Sequence, residues 1–123
     1  MVVTAAYIPD SGDLVWLDFN PQTGREQANR RPAVVLSPAS YNGKVKLGIF
    51  CPITTKVKSY PFEVALPDDL PIAGVILADQ VKSLDWQIRK AEFICKAPDS
   101  VMAEVSAKLK VLLPSPSANQ TED

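Results

Sequence analysis

The sequence contains no histidine. The commonest metal ligand and the commonest acid–base side chain at neutral pH are both missing. Any chemistry must then use carboxylates, arginine, lysine or hydroxyls. Cysteine is scarce as well. Cys51 and Cys95 each sit alone inside an apolar, strand-like segment, which fits small core residues rather than metal ligands or a redox pair. Neither a metal nor a cofactor is expected. Long apolar runs are also lacking: no stretch approaches the roughly 20 residues a membrane helix needs, and the opening Met1–Tyr7 has neither a basic flank nor an apolar core like that of a signal peptide. A cytoplasmic protein with no membrane partner is the expectation. Finally, there is little net charge. At −1, the chain is not one that coats nucleic acid indiscriminately.

What is present fits one ordinary domain. The 123 residues, 46% apolar and 22% charged, suffice for a hydrophobic core without staples. The reading places that domain at 1–113 and a disordered polar tail at 114–123. The small net charge conceals an uneven distribution. Residues 21–60 hold seven Lys and Arg against the single acid Glu26, or +6, so the remainder carries −7. A basic front half is the footprint of a localised phosphate-binding face.

The densest part of that face is Gly24-Arg25-Glu26-Gln27-Ala28-Asn29-Arg30-Arg31-Pro32. Arginines cannot shed protons to relieve their mutual repulsion, so an anion is the natural relief. The alternative is a merely solvated basic loop. This loop follows a first strand, Leu14–Phe19, that is introduced by the turn-forming Pro9–Asp13. It leads into a second strand, Ala33–Ser37, whose continuous apolar run predicts burial on both faces. Asn42-Gly43 then signals a hairpin. Strand three is predicted over Lys46–Cys51, closed by Pro52, and strands four to seven over Phe62–Leu66, Gly74–Ala78, Asp79–Leu84 and Ala91–Lys96. Only the C-terminal part switches to helical spacing, with Met102, Val105, Leu109 and Leu112 on one face, Pro98 at the first helical position and Pro114 as the stop. The fold class is mainly β: a small antiparallel barrel or sandwich with one C-terminal amphipathic helix.

If the Asn42-Gly43 turn pairs strands two and three, the residue before Ala33 and the residues after Cys51 lie at one end of that hairpin. Glu26 and Arg31 then approach Thr54 and Thr55, with Lys56 and Lys58 following. A carboxylate, a guanidinium and a hydroxyl together suit phosphodiester chemistry, in which a base activates a nucleophile and cations steady the charge growing on phosphorus. The bland counterpart is that Thr54 and Thr55 make turn hydrogen bonds and Glu26 only neutralises Arg31. Tyr41, Tyr60 and Trp86 offer either stacking surfaces for unpaired bases or ordinary packing.

Several segments, in this order, resemble the MazF/PemK family of toxin endoribonucleases: Pro9–Trp16, Gly24–Gln27, Arg31–Pro38, Tyr60–Val64 and Ala78–Ser83. The resemblance spans Tyr7 to Leu113. It implies an SH3-like barrel, a homodimer, and metal-independent cutting of single-stranded RNA at a short ACA-like motif. It also implies a protein antitoxin as partner, with DNA reached only through that antitoxin. Carried over residue by residue, the site comprises Glu26 as candidate base for the ribose 2′-hydroxyl, Arg31 as phosphate binder and candidate acid partner, and Thr54 as a hydrogen-bonder to phosphate. Attack by that hydroxyl leaves a cyclic phosphate and a 5′-hydroxyl. Around this trio, Arg25, Gln27, Arg30, Thr55, Lys56 and Lys58 are the expected RNA contacts. The chain departs from the pattern at Asn29, where many relatives have Gly; Asn tolerates the left-handed backbone that would keep the loop's shape. The same fold also carries gyrase-binding toxins that cleave nothing, but those act through an apolar and aromatic C-terminus, and this chain ends Ala118–Asp123 in polar residues.

Overall fold

A computed structural model describes residues 6–19 and 30–116. Arg25, Glu26 and Gln27 of the basic loop, and the tail from 117 onward, lie outside the described residues.

Among the described residues, seven antiparallel strands and two helices follow one another as β1 (Asp13–Asp18), β2 (Arg30–Val35), α1 (Ala39–Val45), β3 (Gly48–Thr54), β4 (Glu63–Ala65), β5 (Val75–Leu77), β6 (Lys82–Leu84), β7 (Glu92–Lys96) and α2 (Asp99–Val111). The strand order is β4-β5-β3-β2-β1-β7, with β6 added on β3. β4 and β7 do not pair among the described residues, so the sheet is barrel-like without closing.

Alternation along the central strands builds two cores. Leu14, Val34, Cys51, Ile53, Val64 and Ile76 face one way and pack with Val101 and Val105 of α2. Val15, Leu17, Ala33, Val35, Phe50 and Trp86 face the other. Side chains at i and i+1 of a strand project to opposite faces. The uninterrupted Ala33-Val34-Val35 run is therefore buried on both, each residue being fully inaccessible. Burying a Val or Leu side chain contributes about 1.5–3 kcal/mol, and this double burial is what fixes β2 and the residues at its root.

The Asn42-Gly43 hairpin is not formed. Residues Ala39–Val45 are helical, entered from the extended Pro38, and the left-handed residue that ends the segment is Lys46, with φ of 70°. The reason is tertiary. Asn42 is fully buried, its Nδ2 donating to the carbonyls of Pro9 (2.7 Å) and Ser37 (3.0 Å) while its Oδ1 accepts from the Ser37 hydroxyl (2.6 Å). Satisfying a buried amide outweighs a local turn preference. Trp86 completes the knot by donating its indole N–H to the Asn42 carbonyl.

β3 is longer than the sequence suggests and runs through Pro52 rather than stopping there. It pairs with β6 over Gly48–Phe50 and with β5 over Ile53–Thr54, and Pro52 stands where the strand changes partner. A residue without an N–H is tolerated at such an interruption. β6 is confined to Lys82–Leu84, because Asp79 and Gln80 form a turn in which the Gln80 N–H reaches the Leu77 carbonyl. In α2, Pro98 lies just before the first helical residue, and the buried stripe is Val101 and Val105 with Met102 beside it; Leu112 is exposed.

A candidate nucleic-acid groove

The start of β2 and the end of β3 lie side by side. β2 pairs with β3 through Val35–Phe50, Val34–Cys51 and Ala33–Pro52. Arg31 and Thr54 each stand two residues beyond the last of these pairs. The convergence expected of the two loops thus holds for Arg31 and the Thr54–Lys58 segment. It comes from the antiparallel β2–β3 ladder, although the linker between the strands is a helix and not a two-residue turn.

Both residues line a groove of about 700 Å³, whose walls also carry Lys56, Lys58, Tyr60, Asp79 and Lys82. A smaller adjoining cavity of about 210 Å³ is formed by Arg31, Thr54, Thr55 and Lys56 with Pro32, Ile53 and Ala73. Arg31 has an exposed side chain that, among the described residues, has no hydrogen-bond or ion-pair partner. Its backbone is held by pairing with Leu17 on one side and by the Pro32-Ala33 root on the other. The result is a cation fixed at its base and, among the described residues, free at its tip. The Thr54 hydroxyl accepts the Lys56 N–H at 3.1 Å, the turn bond anticipated for this residue. Its O–H is left to donate elsewhere. Gly74 secures the position of Thr54. Its φ is +130°, and a Cβ there would lie 2.4 Å from the Thr54 carbonyl oxygen. Only a residue without a side chain lets β5 begin so close to the end of β3.

Arg30 is used differently from the RNA contact expected of it. Its guanidinium binds Asp18 at 2.8 Å, Glu92 at 2.9 Å and the Lys90 carbonyl at 2.9 Å. Burial alone would lower its pKa, but the hydrogen bonds it donates to Asp18 and Glu92 outweigh that and hold it above the ordinary value. Arg89 reinforces the same corner by donating to the carbonyls of Asp18 (3.2 Å) and Phe19 (2.9 Å). Arg30 clamps the start of β2 to the end of β1, and Arg89 ties that same end of β1 to the turn before β7. Arg31, one residue on, inherits that rigidity.

The far wall of the groove was hidden from sequence reasoning. Glu63, Asp79, Gln80 and Lys82 line it, and apart from the family resemblance nothing in their spacing marked them. Two acids there hold the β3–β4 loop in place. Glu63 Oε2 accepts the Lys58 N–H at 3.0 Å, and Asp79 Oδ2 accepts the Tyr60 hydroxyl at 2.7 Å. Lys108 of α2 adds a third tie, donating Nζ to the Pro61 carbonyl at 2.7 Å. Of the three aromatics considered for stacking, Trp86 is a core residue, only 4% exposed, and Tyr41 is exposed on α1 and lies outside the groove. Among the described residues no cluster of three or more His, Cys, Asp or Glu could hold a metal ion, and no helix is long and apolar enough to cross a membrane.

Comparisons with known proteins agree with this architecture. Residues 10–113 match the model of the PemK-like, MazF-like toxins of type II toxin–antitoxin systems. The endoribonuclease toxin MazF of Escherichia coli K12 is 46% identical over 111 residues, which span 90% of this chain and 99% of that protein. The endoribonuclease toxin ChpB of the same organism is 32% identical over 109 residues, covering 85% of this chain and 93% of its own length. Among solved structures, MazF of Deinococcus radiodurans superposes with a TM-score of 0.80 at 56% identity, covering 88% of this chain and 98% of the other. A MazE–MazF complex from that organism gives 0.79 at 52% identity, with 88% and 97% covered. With a family match over most of its length and close relatives matched nearly end to end, the chain belongs to the PemK-like, MazF-like toxins of type II toxin–antitoxin systems.

Proposed function

We propose that the chain is a toxin that cuts single-stranded RNA at a short, ACA-like sequence by internal attack of a ribose 2′-hydroxyl. The observation that carries this reading is the meeting of the Arg31 side chain, unpartnered among the described residues, and the Thr54 hydroxyl in a cation-lined groove. In the reaction the 2′-hydroxyl loses its proton to a base, for which Glu26 is the candidate. Its oxygen bonds to the adjacent phosphorus, the bond from phosphorus to the 5′-oxygen breaks, and that oxygen takes up a proton. The products are a cyclic phosphate and a 5′-hydroxyl. Arg31 neutralises charge growing on the phosphoryl oxygens, and Thr54 donates its O–H to one of them. Arg31 is a weak candidate for the acid, since a guanidinium does not give up its proton readily. The nucleophile belongs to the RNA, so no metal-bound water is required. Thr55, Lys56 and Lys58 supply phosphate contacts along the groove, and Arg25 and Gln27 do so from the loop.

The toxin acts in the cytoplasm as a homodimer, silenced by a protein antitoxin that reaches DNA on its own account. The antitoxin's acidic segment lies on the basic face that RNA would occupy. The test of the enzymatic reading is incubation of the purified protein with a defined single-stranded RNA in EDTA. The expected outcome is cutting at one short sequence, with cyclic phosphate and 5′-hydroxyl ends. Intact RNA, or activity that returns only with a divalent ion, would contradict it.

A further inference from the structure

The cleavage chemistry uses Arg31, Thr54 and the loop, but it gives no role to the aromatic ring on the opposite wall. Tyr60 lines the groove with Arg31, Lys56 and Lys58. It is 46% exposed, an unusual investment for a tyrosine whose hydroxyl is already satisfied. Three contacts restrain it. The hydroxyl donates to Asp79 Oδ2 at 2.7 Å, the ring lies 5.9 Å from Phe62 at a tilt of 52°, and the Tyr60 carbonyl accepts the Glu63 N–H at 3.0 Å. On either side the loop is tied down through Lys58 to Glu63 and through Pro61 to Lys108. Asp79 reinforces the arrangement: its Oδ1 is buried and has no hydrogen-bond partner, so Tyr60 is the one group answering that carboxylate among the described residues. An exposed aromatic ring held rigidly beside a row of cations is the combination that holds a single nucleic-acid strand, with cations on the phosphates and the ring under a base. Rigidity matters because the ring then loses little entropy when a base covers it.

We propose that Tyr60, locked by Asp79, is a stacking platform for one unpaired base of the RNA strand that passes Arg31 and Thr54. This subsite rests on the ribonuclease reading. It takes a nucleobase through its π-face, tolerant of base identity, and contributes to binding rather than to the chemical step. Asp79 is a positioning residue that acts through Tyr60.

The test is a thermodynamic cycle between protein and strand. A 2′-O-methylated single strand, which cannot supply the attacking hydroxyl, is titrated intact and with one abasic residue moved along it, against wild type, Tyr60→Ala and Tyr60→Phe. Base–aromatic stacking predicts that Tyr60→Ala weakens the intact strand by about 5- to 100-fold. At one position, the abasic strand should bind wild type more weakly by a similar factor and lose nothing further in Tyr60→Ala. Tyr60→Phe, which keeps the ring but drops the tie to Asp79, should retain that coupling and lose only a few-fold. Losses that multiply at every position, or a Tyr60→Ala variant that binds like wild type, would overturn the subsite while leaving RNA cleavage intact. A wild-type chain that binds no single strand and cleaves no RNA would instead remove the ribonuclease reading, and the subsite with it.

Discussion

Adjacent arginines in this protein do different work, and the difference follows from what each touches. Arg30 has Asp18, Glu92 and the Lys90 carbonyl around it, with a side chain 26% exposed facing an Asp18 side chain only 6% exposed. Removing the guanidinium strips a nearly buried carboxylate of its charged partner, and a lost hydrogen bond to such a group costs about 1–3 kcal/mol. Arg30→Ala should accordingly destabilise the fold by that amount and leave the salt dependence of RNA binding unaltered. Arg25→Ala is expected to do the reverse, with stability kept and the slope of log affinity against log salt reduced by about one contact. Denaturant melts and binding titrations at several salt concentrations check both. An Arg30→Ala protein of unchanged stability with a flattened salt slope would make Arg30 a phosphate contact after all. Cys51 presents a contrasting case of chemistry suppressed by position. Burial and the nearby Asp79 push its thiol up to about 12, which suits a core residue and not a nucleophile.

At the scale of elements, the site depends on how closely β3 and β5 approach. Gly74 has both a left-handed φ and backbone 2.4 Å from where its Cβ would be. The obstruction is the Thr54 carbonyl, which cannot swing aside as a flexible side chain would. Gly74→Ala should therefore displace Thr54, destabilise the fold by about 1–3 kcal/mol, and reduce cleavage by more than the unfolded fraction explains. Cleavage per folded molecule, measured well below the melting midpoint, is the readout; an unchanged value would show that Thr54 is not held by this contact. The same scale shows how much was legible beforehand. Alternation in Leu14–Phe19 and the solid apolar run after Pro32 carry their own burial pattern. β2 covers Arg30–Val35, beginning three residues before and ending two residues before the expected Ala33–Ser37, whereas β1 and α2 emerge close to where those patterns put them. Asn42-Gly43 does not, because its turn signal is local whereas the bonds from Asn42 to Pro9 and Ser37 are made only in the folded chain. Pro52 misled for a related reason: a proline ends a strand unless the sheet changes partner there, and partner changes leave no mark in sequence.

At the scale of the whole molecule, the groove is assembled from segments far apart in the chain. Arg31 arrives on β2, Thr54 on β3, Tyr60 on the following loop, and Asp79 and Lys82 from the turn before β6 and from β6 itself. Sequence reading found the first two as an antiparallel pair and found Lys56 and Lys58 through charge, but the Asp79 wall depends on β5 folding back onto β3 and was invisible to spacing. A basic groove of this kind also makes a prediction about inhibition. An antitoxin segment and single-stranded RNA should compete for it, and light scattering should show the free toxin as a dimer. Simultaneous binding of both ligands, or a monomer at micromolar concentration, would contradict the proposed assembly.

Arg31 is fixed at its root and, among the described residues, unpartnered at its tip, and in the proposed reaction it stabilises the transition state for cleavage. Single-turnover cleavage at saturating RNA, in EDTA, separates this from binding. Losing one positioned group that meets developing charge typically costs about 10²–10³ in rate. Arg31→Ala should fall by at least that factor while remaining folded, and Arg31→Lys should recover little because the planar fork is gone. An Arg31→Ala protein that cleaves saturating RNA at the wild-type rate would contradict the assignment and leave Arg31 a binding residue.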